Sequence, residues 1–157
     1  MAEAKSLLAF LDANVFIEAV LVQSPPAVSI FHLAAHNVLR LVTCKLVIED
    51  IEEALLDKAT QTKGGIEGLI TVCDRLLQRS NLQVVPDPSS SLVISIKKQY
   101  LASMRHLADI PVLAAAIQTK PDLILSGNRK HFNDQVAFKC GIPIYSCTEF
   151  LTHLAQL

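Results

Sequence analysis

The chain has 157 residues, of which 51% are hydrophobic, so its length is typical of one domain and its composition suffices for one substantial core. The formal net charge is −1, which excludes an overall basic field for binding nucleic acid but leaves room for a local basic patch. No apolar stretch approaches the length of a membrane span, and four cysteines without zinc-ligand spacing indicate a reduced, cytoplasmic protein.

Short apolar runs alternate with segments of helical hydrophobic spacing along the chain. The predicted strands are 7–11, 38–43, 82–85, 123–125 and 143–146. The predicted helices are 14–23, 26–36, 44–59, 66–79 and 89–104, one that begins near Pro111 and one that begins at Thr148; residues 61–68 are a loop or a helix start, and 129–133 a short helix or turn. Alternation of this kind is typical of right-handed βαβ crossovers. We therefore predict an α/β protein: a three-layer α/β/α sandwich around a central parallel sheet of four to five strands, forming a single domain over residues 1–157.

A carboxylate closes the first predicted strand. Asp12 directly follows the apolar run, and Asn14 lies two residues further on, where a helix is predicted to begin. Ligands of open α/β sheets bind at the carboxyl ends of the parallel strands, which favours a functional role for Asp12. Because Asp is also a favoured helix N-cap, capping alone is the alternative interpretation.

The segment 44–59 has apolar residues at helical spacing, and most of its acidic residues belong to a solvated face. Asp50 differs because it lies beside the apolar stripe, three residues after Val47 and four before Ala54. Its side chain can therefore face the end of the sheet. The competing candidates for this position are Glu49 and Glu53.

Two later segments bring polar side chains to the same edge of the predicted sheet. Pro111 suits the first turn of a helix, which puts Asp109 at or beside the N-cap, and Ser126 and Asn128 follow the strand 123–125. Carboxylates brought together repel one another, and a cation relieves that repulsion. Oxygen ligands suit Mg²⁺ or Mn²⁺, and such an ion can promote hydrolysis of a phosphodiester. The pattern therefore favours a metal-dependent phosphodiesterase, with unrelated helix caps as the alternative.

Four stretches of the sequence resemble, in the same order, the motifs of the PIN-domain ribonucleases, which include the toxins of bacterial and archaeal VapBC-type toxin–antitoxin pairs. The stretches are LDANVFIEA, LVTCKLVIEDIEEALL, ADIPVLAAAIQTKPDLILSGNRKHF and PIYSCTEFL, and together they span nearly the whole chain. The first is similar to the family's first-strand motif. The third is similar to its closing motif, where an Asp precedes an apolar helix and a strand ends in Ser/Thr-Gly-Asp/Asn.

The resemblance implies a PIN-like fold and a role for each matching position. It implies that Asp12, Asp50 and Asp109 are catalytic residues that bind Mg²⁺ or Mn²⁺, and that Asn128 is a fourth catalytic position. Many members carry Glu in place of Asp50 and Asp in place of Asn128, so the second substitution removes a charge and puts a second metal site in doubt. The residues implied to hold carboxylates or waters, or to bind substrate, are Asn14, Ser126, Arg129, Lys130 and, beside them, His131. A solvated basic turn is the alternative interpretation of the last three.

We therefore expect a metal-dependent endoribonuclease that hydrolyses RNA phosphodiester bonds and acts as the toxin of a toxin–antitoxin pair. The expected partners are RNA, an antitoxin protein and a second copy in a homodimer, without a membrane. A catalytically inactive PIN-like domain that binds RNA or protein is the alternative, motivated by Asn128. A phosphotransferase with an Asp-x-Asp start is disfavoured because Asn14 breaks that motif. His32 and His36, four residues apart on a predicted helix, are ordinarily surface residues rather than metal ligands.

Overall fold

A five-stranded parallel sheet with helices on both sides forms the centre of the fold. The computed structural model describes residues 6–59, 65–104 and 106–156. The strands are β1 (Leu7–Leu11), β2 (Leu39–Cys44), β3 (Gln83–Val85), β4 (Leu123–Leu125) and β5 (Ile144–Tyr145), in the spatial order β3-β2-β1-β4-β5. The helices are α1 (Ala13–Ile17), α2 (Pro25–Ala35), α3 (Lys45–Ala59), α4 (Gly65–Ser80), α5 (Ser90–Tyr100), α6 (Ile110–Thr119), α7 (Asp134–Cys140) and α8 (Cys147–Ala155). The predicted three-layer α/β/α class is confirmed.

The central strand β1 positions the residues that follow β1 and β4 at one edge of the sheet. Its consecutive residues Ala9, Phe10 and Leu11 are all at most 1% exposed, which requires cover on both faces of the sheet, as in parallel α/β folds. Leu11 is in register with Leu125 of β4, and the Asp12 amide donates to the Leu125 carbonyl at 3.0 Å. The residues that follow β1 and β4 are therefore neighbours at one edge.

The helix predicted over 14–23 is divided in the structure. α1 is followed by a π-helical turn, Glu18–Val22, which ends where Gln23 adopts a left-handed backbone conformation with φ of 54°. Hydrophobic periodicity does not distinguish the two helix types, because five residues of π-helix shift the apolar face by only a fraction of a turn. The turn brings the chain directly into α2, whose Phe31 ring lies 4.9 Å from that of Phe16.

Two other boundaries differ from the sequence-based prediction. α5 ends at Tyr100 rather than at residue 104, because the chain turns there and buries Met104 completely. α7 was not expected; the Asn133 side chain caps it by accepting from the Val136 amide at 3.0 Å, and Gly141 ends it with φ of 72°. Part of the predicted loop at 61–68, residues 61–64, lies outside the described residues.

Helix α6 packs closely against the elements around it because small side chains cover several of its sides. Ala114, Ala115 and Ala116 are at most 2% exposed, and Leu113 is fully buried. Pro111 lies in the first turn of this helix, as its missing N–H predicts. The result is that Asp109, at the helix N-terminus, reaches the edge where β1 and β4 end.

Across the three described ranges of the chain, no single helix is long and apolar enough to cross a membrane. The segments Ala13–Val22 and Pro25–Ala35 reach that length and composition only together, and they are bent by 107°.

Candidate metal centre

Asp12 is both a helix cap and a buried member of the sheet-edge cluster. Its Oδ1 accepts from the Ala13 amide at 2.8 Å, and its Oδ2 accepts from the Ser126 hydroxyl at 2.8 Å. The residue is only 8% exposed. Asn14 Nδ2 also lies 3.5 Å from Oδ2, so Oδ1, with one partner for its two lone pairs, is the oxygen that retains capacity for a further ligand. Capping and metal binding are thus compatible at this position rather than alternatives.

The loop after β4 is joined to the start of α1 by polar contacts. The Gly127 amide donates to Asn14 Oδ1 at 2.7 Å, and the Asn128 amide donates to Ser126 Oγ at 3.0 Å. Ser126 is fully buried, and its hydroxyl therefore connects Asp12 to the backbone of Asn128. In this structure Ser126 donates to the Asp12 carboxylate, and Asn14 accepts from the Gly127 amide.

Asp109 ends a 3₁₀ turn, Leu107–Asp109, and stands at the N-cap position of α6 without making a side-chain cap hydrogen bond. Its carboxylate instead faces two imidazoles: Oδ2 lies 2.7 Å from His131 Nδ1 and 3.3 Å from His106 Nδ1. Asn128 contacts one of these imidazoles, since its Nδ2 lies 2.9 Å from His131 Nδ1. Simple helix capping therefore does not account for Asp109.

The three aspartates interact electrostatically with one another. Burial is the main reason that the pKa of Asp12 is raised, and the negative charges of Asp109 and Asp50 raise it further. The pKa of Asp50 is raised by burial, then by Glu53, Asp109 and Glu49. Among the acidic residues of α3, Asp50 is the one whose charge affects Asp12. Glu49 and Glu53 act on Asp50 instead, from the same helix.

This donor set suits a hard divalent ion. Three carboxylates from the end of β1, from α3 and from the start of α6 carry mutual repulsion that a cation would relieve. Mg²⁺ and Mn²⁺ prefer oxygen ligands of this type. The residues that could hold such an ion are Asp12, Asp50 and Asp109, and Asn128 supplies a neutral amide beside them.

The basic residues after β4 have different surroundings. Arg129 donates from Nε to Glu149 Oε1 at 3.0 Å and from Nη2 to Asp134 Oδ1 at 2.5 Å, and it also contacts the Phe132 carbonyl. Its guanidinium is thus occupied by groups of the protein, whereas Lys130 is exposed. Of the expected phosphate-binding residues, Lys130 is the more accessible.

Sequence reasoning overlooked two residues near this centre. His106 lies three residues before Asp109, a spacing that places the two side chains on one side of a tight turn. Glu18 lies four residues after Asn14, and a Cβ atom on Gly127 would come within 2.5 Å of Glu18 Oε1. The i, i+3 and i, i+4 spacings were the available signals. His32 and His36 are exposed on α2, away from the cluster formed by Asp109.

Comparisons with known proteins place the chain among structures of one type. A family model described as "PIN domain" matches residues 9–130. No curated protein sequence matches the chain. Similar solved structures are VapBC2 from Rickettsia felis bound to a DNA fragment from the promoter (TM-score 0.66, 12% identity, 89% of this chain and 98% of that chain) and PAE2754 from Pyrobaculum aerophilum (TM-score 0.65, 14% identity, 96% and 91%). A third is VapBC-1 from nontypeable Haemophilus influenzae (TM-score 0.56, 15% identity, 90% and 99%).

Proposed function

We propose that this chain, which belongs to the PIN-domain family, is a divalent-metal-dependent endoribonuclease that hydrolyses RNA phosphodiester bonds. The observation that carries the proposal is that polar contacts through Ser126, Asn128 and His131 join Asp12 to Asp109 at one edge of the parallel sheet. The charge of Asp50, from α3, acts on Asp12 as well. Asp12 is buried while Asp109 is half-buried and Asp50 exposed, and holding carboxylates close together without a cation is unfavourable. Proteins retain such arrangements at functional sites.

Each residue of the centre has a task that follows from its contacts. Asp12, Asp50 and Asp109 would hold Mg²⁺ or Mn²⁺, which can polarise a phosphodiester and lower the pKa of a bound water. Ser126 orients Asp12 by donating to Oδ2, and Asn14 holds the Gly127 amide, which keeps the β4 loop against α1. The side-chain amide of Asn128 carries no charge. It can therefore position a neighbouring group, but it cannot neutralise the charge of a metal ion. The exposed Lys130 is the candidate contact for a substrate phosphate.

Cleavage of a labelled single-stranded RNA with Mn²⁺, with Mg²⁺ and with EDTA tests the proposal. We expect cleavage that requires the ion and falls to the EDTA level in Asp12→Asn. This variant keeps an N-cap side chain and changes the charge, so the fold should persist, which circular dichroism checks. Equal activity of wild type and Asp12→Asn would show that the nuclease assignment to this centre is wrong.

A matched pair of variants on α3 identifies the second acidic ligand. Asp50→Asn should weaken Mn²⁺ binding at least about tenfold, whereas Glu53→Gln should leave it close to wild type, as measured by calorimetry. The reason is that the charge of Asp50, and not that of Glu53, acts on Asp12. The reverse pattern would assign the ligand to Glu53.

The alternative function is a PIN-like domain that no longer cleaves and binds RNA or protein. Asn128 favours this alternative because a neutral amide stands where many family members carry a charged Asp. Arg129 also favours it, because its guanidinium already contacts Glu149 and Asp134 and is less available for a substrate phosphate. Absence of Mn²⁺ binding by calorimetry, together with an intact fold, would favour this alternative over the nuclease.

We further propose a small antitoxin protein as a partner, because two of the similar structures are VapBC proteins. An open apolar groove of about 380 Å³ between α3 and α4 suits an apolar helix, with Leu56 and Ile70 58% and 47% exposed at its surface. Glu52 and Asp74 also line it, which favours basic residues on the partner. Leu56→Asp should break a complex with the product of a neighbouring small reading frame, and Phe138→Asp, at a 91% exposed position of α7, is the control. A homodimer and a cytoplasmic location stay predictions.

A further inference from the structure

The Nδ1 atoms of two histidines, His106 and His131, lie close to the same carboxylate oxygen of Asp109. His131 Nδ1 and His106 Nδ1 lie 2.7 and 3.3 Å from Asp109 Oδ2. The two rings are stacked, with centroids 4.8 Å apart and planes 9° from parallel. The three donor atoms lie within 4.8 Å of one another. Three potential ligand atoms, two from the turn before α6 and one from the loop after β4, therefore converge on one small volume.

The contacts around His131 Nδ1 do not fit a proton alone. The atom lies 2.9 Å from Asn128 Nδ2, a hydrogen-bond donor, and 2.7 Å from Asp109 Oδ2, an acceptor. A single imidazole nitrogen cannot accept from the first and donate to the second at once. An ion bound to the Nδ1 lone pair and to Asp109 Oδ2 would take the place of a proton between them and make their short approach favourable.

We propose that His106, Asp109 and His131 form a three-ligand site for an imidazole-preferring transition-metal ion of the Zn²⁺ class. Two imidazole nitrogens and one carboxylate oxygen are a common zinc donor set, and ligands bound tetrahedrally about 2.0–2.2 Å from one ion lie about 3.4 Å apart, close to the 3.3 Å between His106 Nδ1 and Asp109 Oδ2. His106 is 58% exposed and His131 32%, so a fourth position is open to water. This donor set differs from the acidic cluster formed by Asp12, Asp50 and Asp109. Imidazole ligands favour Zn²⁺, Co²⁺ and Ni²⁺ over Mg²⁺.

Other groups of the described residues compete poorly for such an ion. Burial raises the pKa of the thiols of Cys44, Cys73 and Cys140, and raises that of Cys147 to about 12, so these thiols stay protonated at neutral pH. His32 and His36 lie one helical turn apart on α2, and they are the matched control pair. The site also shares Asp109 with the acidic cluster, so an ion held by the imidazoles would withdraw one carboxylate from a hard ion beside it.

Zinc binding to the full chain, measured by calorimetry and by competition with a chromogenic chelator, tests the site without any RNA. We expect one Zn²⁺ per chain whose affinity falls at least about tenfold in His106→Ala and in His131→Ala. His36→Ala should bind as wild type does. Asp12→Asn should also retain the ion, which separates this site from the acidic cluster. Because the readout is binding, it stands or falls independently of RNA cleavage.

Co²⁺ provides a second readout, since its visible absorption reports imidazole coordination, and we expect that signal to be lost in His106→Ala. Circular dichroism shows whether each variant is folded; His106 is exposed, so its replacement should not disturb the core. The proposal is overturned if wild type binds no Zn²⁺, if folded His106→Ala binds it as tightly as wild type, or if affinity is lost in His36→Ala or Asp12→Asn instead.

Discussion

At the scale of single residues, Gly127 is a point of close contact between the loop after β4 and the start of α1. Its amide donates to Asn14 Oδ1 at 2.7 Å. A Cβ atom there would lie 2.5 Å from Glu18 Oε1 and 3.3 Å from Asn14 Oδ1. Glycine is therefore needed for close approach rather than for an unusual backbone conformation. The side chain of Glu18 occupies the space that any larger residue would use.

Gly127→Ala should lower the free energy of unfolding by about 1 kcal/mol, because the added methyl group forces Glu18 and Asn14 to move. Gly68→Ala is the matched control: it lies inside α4 with open space around its Cβ position, and it should raise stability by up to about 1 kcal/mol. Urea denaturation measures both. Adding Glu18→Ala to Gly127→Ala should restore part of the loss; equal effects of the two glycine replacements would contradict this account.

At the scale of elements, the N-terminus of α8 anchors the loop that carries Asn128. Ser146 and Glu149 form a capping box, with the Glu149 amide donating to Ser146 Oγ at 3.1 Å and the Ser146 amide donating to Glu149 Oε1 at 3.0 Å. Arg129 donates to the same Oε1 at 3.0 Å. A helix cap is thus extended by one ion pair to the loop after β4, which places Asn128 and His131 next to Asp109.

The capping box predicts a pH-dependent difference between wild type and Glu149→Gln. The hydrogen bond from the Ser146 amide, followed by the contact with Arg129, lowers the pKa of Glu149. A depressed folded-state pKa gives stability that is present above the ordinary value of 4.5 and is lost as the pH falls through the folded-state value. Because the side chain is 49% exposed, we expect a difference of less than about 1 kcal/mol at pH 7.

Denaturant unfolding at pH 7 and at pH 3 measures this difference, with Glu67→Gln in the first turn of α4 as the control. A larger gap between wild type and Glu149→Gln at pH 3 than at pH 7 would contradict the prediction. Raising the salt concentration should reduce the part that comes from Arg129.

At the scale of the whole molecule, Asp12 and Asp50 act against stability until an ion binds. Burial and mutual repulsion raise the pKa of Asp12 and Asp50 in the folded state. The folded chain then binds more protons than the unfolded chain just above the ordinary pKa of 3.8, so stability from these groups falls as the pH rises through that window. A divalent ion stabilises the charged forms and opposes this loss.

We therefore expect Asp12→Asn to be more stable than wild type in EDTA at pH 7, with the gap closing as the pH falls towards 4. Adding Mn²⁺ should reverse the order: at about 100 times its dissociation constant the ion stabilises wild type by about 2.7 kcal/mol, and Asp12→Asn gains less. Thermal unfolding with and without Mn²⁺ measures both effects. A wild-type melting temperature that is insensitive to Mn²⁺ would contradict them.

The sequence by itself determined the fold class, the five strands, and the edge to which Asp12 and Asp109 belong. Apolar runs and helical spacing are local signals, and a parallel sheet necessarily collects the carboxyl ends of its strands at one edge. The α/β class and the PIN-domain family are therefore accessible from the chain alone. Helix ends such as Tyr100, and the short α7, are less accessible because loop geometry rather than periodicity decides them.

Only the tertiary structure decided which side chains meet at that edge. His131 reaches Asp109 across 22 residues, and Arg129 reaches Glu149 across 20. The packing of α3 beside β1 brings the charge of Asp50 near enough to raise the pKa of Asp12. No local pattern encodes such contacts, because they depend on how loops and helices pack after the sheet has formed. The physical reason is that periodicity specifies which face of an element is buried, whereas distances between polar groups on different elements follow from packing.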